Sequence, residues 1–343
     1  MNPLTIKSID IDFYQKRLAD FLPAKIIDIH THIWKKTFVT NESDVNREKW
    51  PSRVADENPI EDLLDDYQRM LPGKEVTPCV FGNPVRSIDL EKNNLYVSEV
   101  CKQYGFSGLM VTTPQMNGDE LVKLVETYGF IGLKPYLSYA PASIPEQDIT
   151  IYDFLPRQQL EIANEKKWLI ILHIPRPGRL RDMINIQQLM EIDSEYPQIR
   201  LVIAHIGRAY CDEDIGDAFD YLQRTNNLMM DFSANTNSNA MIEAIKALGI
   251  KRILFGSDMP ILRMRMRRIC EGGKYVNLVP PGLYGDIRAD PHMREVSEEE
   301  SDTLSFFLYE ELNAFRKAAD QLGLGFADIE DIFYRNAARI LNL

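Results

Sequence analysis

The sequence predicts a (β/α)8 barrel, and three of its features carry that expectation. Short runs of Ile, Val and Leu alternate with longer amphipathic stretches almost to the C-terminus. Eight such runs can be counted in 343 residues, a number and a chain length suited to closing a parallel sheet on itself. Several runs are apolar at consecutive positions, as parallel strands are when helices cover one face and a core fills the other.

In chain order the expected strands are KIIDI (25–29), VTPCVFG (76–82), FSGLMVTT (106–113), FIGLKPYL (130–137), WLIILHI (168–174), IRLVIAH (199–205), NLMMDFS (227–233) and RILFGSD (252–258). Helices are expected near 60–70, 88–104, 118–128, 153–166, 184–195, 212–224 and 238–248, with a closing pair near 298–321 and 328–341. A doubly wound open sheet is the competing architecture. No G-x-G-x-x-G follows the first strand, which removes its usual dinucleotide-binding form. Two connections are long, 33–59 after the first strand and 259–297 after the eighth, and loops of that size are usually functional or disordered. The second contains EGGKYVNLVPPGLYGD, rich in turn formers but also in Tyr, Val and Leu, and reads as an ordered lid or interface segment. No linker or low-complexity tract divides the chain, so residues 1–343 are expected to form a single domain.

Composition narrows the function. A formal net charge of -12 would repel a polyanion, which argues against a nucleic-acid partner. The N-terminal stretch MNPLTIKSIDIDFYQKRL has charges scattered through it, and no apolar run is long enough to span a bilayer. A cytoplasmic protein with no membrane contact is therefore expected, acting on a small molecule; a homo-oligomer stays open. Cys79, Cys101, Cys211 and Cys270 are dispersed and form no C-x-x-C pair, so all four are expected to be reduced thiols.

Four of the five histidines fall at the ends of expected strands. In DIHTH (28–32) the i, i+2 spacing of an extended segment places Asp28, His30 and His32 on one face, with Ile29 and Thr31 on the other. His173 closes the fifth strand, His205 the sixth, and Asp258 the eighth. Barrel active sites are built at the C-terminal ends of the strands. Imidazole nitrogens and a carboxylate gathered there are the ligand set of a catalytic divalent metal, with zinc the first expectation and manganese or cobalt the alternatives. Such an ion lowers the pKa of a water and polarises a carbonyl, while an adjacent Asp or His handles the proton. No G-x-S-x-G elbow and no phosphate-binding glycine loop competes.

H-x-H on the first strand, His on the fifth and sixth, Asp on the eighth and a closing helix DIEDIFYRNAARILNL together resemble the amidohydrolase superfamily, in particular its amidohydrolase-related (amidohydrolase 2) branch. The resemblance covers essentially the whole chain. It implies a distorted barrel with one or two metal ions, with His30, His32, His173 and Asp258 as metal ligands. It makes Asp258 the general base as well, and His205 either a ligand of a second metal or a catalytic polarising and proton-transfer residue. Decarboxylases of the branch carry a motif resembling E-x-H-x-H, and here the leading position is Asp28. Lys134 stands on the fourth strand, where some members carry a carboxylated bridging lysine; a substrate contact or a structural lysine is the favoured expectation.

Substrate signals are sparser. HIPRPGRLRD places Arg176, Arg179 and Arg181 past the fifth-strand histidine, and MPILRMRMRR places Arg263, Arg265, Arg267 and Arg268 past Asp258. Arginine forks suit carboxylates, which points to an anionic or polyhydroxylated substrate with Arg176 as its first contact. Trp34 is expected to wall the pocket, and His292 to be ordinary surface. Three functions stay open: metal-dependent hydrolysis of a carboxylated or sugar-derived lactone ahead of an amide, nonoxidative decarboxylation of an aromatic or enol acid, and a barrel that binds without turnover.

Overall fold

The computed structural model describes residues 5–40 and 54–343. Part of the long connection after the first strand, 41–53, lies outside the described residues. Eight parallel strands form one sheet in sequential order: β1 (Lys25–His32), β2 (Glu75–Phe81), β3 (Ser107–Thr112), β4 (Gly132–Pro135), β5 (Leu169–Leu172), β6 (Arg200–Ile203), β7 (Met229–Asp231) and β8 (Ile253–Leu254). The ring closes through backbone bonds between β1 and the chain leaving β8: Ile29 N–H to Phe255 O (3.1 Å), Asp258 N–H to His30 O (2.8 Å) and His32 N–H to Met259 O (2.9 Å). Gly256 permits this contact, because a Cβ there would sit 2.8 Å from His30 Cβ.

The barrel interior follows from strand alternation. Ile27, Ile29, Cys79, Phe81, Leu109, Leu169, Ile171, Val202 and Leu254 pack inward, and Ala337, Ile340 and Leu341 from the C-terminal helix close the floor. Ile26, Val80, Met110, Ile170, Leu201 and Met230 belong to the outer layer shared with the helices. Helix boundaries come from local chemistry: the Asp89, Asn117, Asp182 and Asn237 side chains accept the first free N–H groups of the helices that follow them. Helices Leu90–Tyr104 and Gly118–Tyr128 end on left-handed Gly105 and Gly129. The expected helix over 212–224 is broken, with a 3-10 turn at Asp212–Asp214 and a short helix at Ala218–Leu222.

Three expectations need correction. The register of β1 against β2 shifts between Asp28 and Thr31, so a bulge interrupts the alternation. Ile29 packs inside the barrel, and Asp28 turns outward, where it accepts from Tyr67 Oη (2.8 Å) and from the N–H groups of Ser257 (2.8 Å) and His30 (3.1 Å). The bulge re-aims His30 and His32 inward and leaves Asp28 behind them. The cysteines are not all thiols: Cys211 and Cys270 form a disulfide, bringing together residues 59 apart in sequence, while Cys79 and Cys101 are free and buried. Sequence spacing alone gave no sign of that proximity. Finally, the segment after β8 is ordered, as expected, into a second small sheet of β9 (Arg267–Glu271), β10 (Lys274–Val279) and β11 (Met293–Glu295), in the order β11-β10-β9. Its return over the barrel mouth carries His292 into the cavity, so this residue is not ordinary surface. No helix among the described residues is long and apolar enough to cross a membrane.

Candidate metal centre

At the C-terminal ends of the strands lies a cavity of about 540 Å³. His30, His32, His173, His205 and Asp258 all line it, so the strand-tip set does converge. Donor atoms of His30, His205 and Asp258 lie within 4.8 Å of one another. Asp258 Oδ1 is 3.2 Å from His32 Nε2 and 3.5 Å from His30 Nε2. The His173 ring stands 5.3 Å from that of His205, and its buried Nδ1 has no hydrogen-bond partner.

The histidines are oriented by their far ring nitrogens. His30 Nδ1–H donates to Asp231 Oδ2 (3.0 Å), His32 Nδ1–H to the Gly82 carbonyl (3.1 Å) and His205 Nδ1–H to the Ser233 carbonyl (2.9 Å). Those acceptors assign the proton to Nδ1 and leave each Nε2 lone pair facing the centre, the arrangement metal-binding imidazoles ordinarily have. Three lone pairs, an ionised carboxylate and an unsatisfied buried nitrogen on His173 together fit a divalent cation.

Electrostatics agree with neutral rings around anionic oxygens. Burial lowers the pKa of His30 to about 3, and it lowers His173 and His205 as well, with Arg208 and His205 adding to the effect on His173. Burial alone would raise Asp258, but the surrounding histidines, His32 first, hold it down at about 2. Asp231 is held well below the usual carboxylate range by the His30 and His205 rings against the same desolvation.

Asp231 was not anticipated from sequence. It ends β7 and ties two neighbours together, since its Oδ1 also accepts from the His205 N–H (2.9 Å) and the Ser233 N–H (3.1 Å). The signal was present in NLMMDFS, a carboxylate at the tip of an otherwise apolar strand. Lys134, fully buried on β4, places Nζ 3.2 Å from His30 Nε2 and 4.7 Å from the centre of the Phe81 ring. Burial lowers its pKa to about 8 against the pull of Asp231 and Asp258.

Trp34 lines the cavity, with Nε1–H donating to Asp56 O (3.0 Å). Arg176 does not: its Nε–H is committed to Asp182 Oδ2 at 3.0 Å. The arginines that reach the wall are Arg179, Arg208 and Arg268. Arg263 and Arg265 form buried ion pairs with Asp66 (3.1 Å) and Asp10 (2.6 Å) instead. Arg208 stands three residues past His205, outside the two arginine clusters of the sequence. It forms no ion pair with a described residue and makes only long bonds to the Pro175 and Arg176 carbonyls (3.3 and 3.5 Å). Backbone conformation singles out the same wall: of eight described non-glycine residues with positive φ, five line the cavity, namely Arg179, His205, Arg208, Ala234 and Asp258. Strained backbone of this kind gathers where a site must hold side chains in fixed directions.

The amidohydrolase family model matches residues 27–269. The chain belongs to the amidohydrolase family. It is an enzyme of a metal-dependent family, and solved structures share its fold over nearly its full length. One is amidohydrolase 2 from Bifidobacterium longum subsp. infantis (14% identity, TM-score 0.55, covering 94% of this chain and 100% of that one). A second, from Acinetobacter baumannii, is described as a probable 2-pyrone-4,6-dicarboxylic acid hydrolase with citric acid bound (17%, 0.56, 93% and 99%). A third is 2,6-dihydroxybenzoate decarboxylase from Rhizobium (16%, 0.55, 93% and 99%). No curated protein matches the chain.

Proposed function

We propose that this enzyme hydrolyses a small carboxylated or sugar-derived lactone, or an amide, at a zinc-type centre held by His30, His32, His173 and Asp258, with His205 beside them. The observation that supports this most is Asp258: a buried carboxylate kept ionised among imidazoles whose lone pairs face it. A divalent ion held here would supply an acidified water and a polarised substrate carbonyl. Asp258 is placed to take a proton from water and would return it to the leaving oxygen or nitrogen. His205, locked by Ser233 and Asp231, faces the same space and steadies the developing charge. Lys134 Nζ lies 3.2 Å from His30 Nε2; with that lone pair given to a metal, the ammonium would be free to meet a substrate oxygen. Arg208 takes the role expected of Arg176, holding a substrate carboxylate next to His173.

Decarboxylation of an aromatic acid is the second reading, and a specific feature favours it: Trp34, Tyr136, Tyr210 and Tyr275 give the cavity aromatic walls suited to a planar ring. The two readings differ in what happens to water. Panels of lactones and hydroxybenzoic acids, followed for proton release and for CO2 in parallel, test them. Solvent ¹⁸O in a ring-opened acid supports hydrolysis; CO2 with solvent deuterium at carbon overturns it in favour of the second reading.

A further inference from the structure

Two unlike arginines face the same pair of rings at the cavity wall, Arg179 from the turn after β5 and Arg268 from the segment after β8. Arg179 is neutralised, with Nη1–H donating to Asp214 Oδ2 at 2.7 Å. Arg268 on β9 is not. Its Nε–H donates to Asn277 Oδ1 across the β9–β10 pair (2.9 Å) and its Nη1–H to the Ala234 carbonyl (2.6 Å), both neutral acceptors. Those bonds use two of the five guanidinium N–H groups. Three rings stand around the half-buried cation, Tyr210 at 4.4 Å, Phe307 at 4.6 Å and Tyr275 at 4.8 Å. No described carboxylate forms an ion pair with it. Glu311 acts on it electrostatically but forms no ion pair with it. A guanidinium at the cavity wall that is bonded only to neutral acceptors and keeps N–H groups to spare attracts an anion.

The support of Arg268 is rigid. The Cys211–Cys270 disulfide joins β9 to the residue after Tyr210. The Tyr210 and Tyr275 rings meet edge-on at 5.0 Å, and His292 stacks on Tyr275 at 4.1 Å with its Nδ1–H donating to the Tyr275 carbonyl (3.0 Å). These contacts link three separate chain segments into one wall, so the guanidinium is held ready for a ligand at little further entropic cost.

We propose that Arg268 is a second, distal anion-binding subsite, and that the substrate therefore carries a carboxylate remote from its reacting carbon in addition to the group held near the metal ligands. The inference rests on this cavity being the substrate site, not on which bond is broken there. Zinc-reconstituted protein, titrated calorimetrically with benzoate, benzene-1,3-dicarboxylate and benzene-1,4-dicarboxylate, tests it. At least one diacid should bind roughly tenfold or more tightly than benzoate, the range expected for charge-assisted hydrogen bonds. Arg268→Gln should bring that diacid to within about twofold of benzoate, with zinc content and benzoate affinity unchanged, and Arg268→Lys should keep part of the preference. A diacid preference that survives Arg268→Gln overturns the subsite. So does its absence in the wild type, or an equal loss of benzoate and diacid binding in both variants. Protein that shows the preference yet releases neither ring-opened acid nor CO2 would support the subsite while removing the proposed reaction.

Discussion

The two walls of the cavity are built in opposite ways. At the strand tips, three of the histidines stand at the end of one strand and are fixed by another: His30 of β1 by Asp231 of β7, His32 by the carbonyl after β2, and His205 by Ser233 past β7. The facing wall lies outside the barrel ladder and touches it at few points, such as the bond from Arg268 to the Ala234 carbonyl. Arg268, Tyr275 and His292 come from the small sheet after β8 and Tyr210 from the turn after β6, and a disulfide and stacked rings hold them to each other. The first wall is positioned by the fold, the second by its own contacts. Chemistry and selectivity should therefore respond to different substitutions.

The largest separation is expected from Asp258→Asn. Asparagine keeps the shape but cannot take a proton, so kcat should fall by roughly 10² to 10⁴ while the fold persists. Stopped assays on the true substrate check this, and near wild-type turnover would remove Asp258 from the mechanism. Asp231→Ala comes next. It leaves His30 without the acceptor that orients it, and metal affinity should drop by roughly 10- to 100-fold, measured by competition with a chelating dye.

Acid should also act on the strand-tip wall. In the folded, metal-free protein His30, His173 and His205 have pKa values below the ordinary imidazole value, His30 at about 3. At these three rings the unfolded chain binds more protons than the folded one below about pH 6.5, whereas buried Asp28 and Asp66, raised to about 7, act with the opposite sign down to about pH 4, so chelator-treated protein should lose thermal stability chiefly from about pH 4 toward pH 3. A flat profile over that window would mean that the rings are not held neutral. The smallest effect at the metal belongs to Cys211→Ser. It should lower overall stability by about 2 to 4 kcal/mol in denaturant titrations while changing metal affinity less than about twofold, because the disulfide supports only the facing wall.

Legibility in the sequence follows the same division. All eight strands were readable because each is an apolar run bounded by turn formers, and four histidines with Asp258 were readable as strand-tip residues. Within that wall, Asp28 misled because the alternation rule assumes an unbroken strand, and the bulge that turns it toward Tyr67 leaves no mark in DIHTH. Asp231 and Arg208 had signals, a carboxylate ending an apolar strand and a cation three residues past His205, that were outweighed by denser arginine clusters elsewhere. Those clusters divide in the structure: Arg176, Arg263 and Arg265 are spent on carboxylates, while Arg268 faces the cavity. The facing wall was legible only as an ordered segment. Its residues meet through contacts between distant parts of the chain, as Cys211 with Cys270 and Tyr275 with His292, and no periodicity encodes such pairs.

The claim on which the rest depends is that the strand-tip side chains hold a divalent metal. Elemental analysis of protein purified from metal-supplemented medium, set beside His30→Ala and His292→Ala, tests it most directly. The expected result is one to two equivalents of a divalent ion in the wild type and in His292→Ala, and loss of the ion in His30→Ala with the chain still folded. Equal metal content in all three proteins, or none in the wild type with thermal stability unaffected by chelator, would contradict the account.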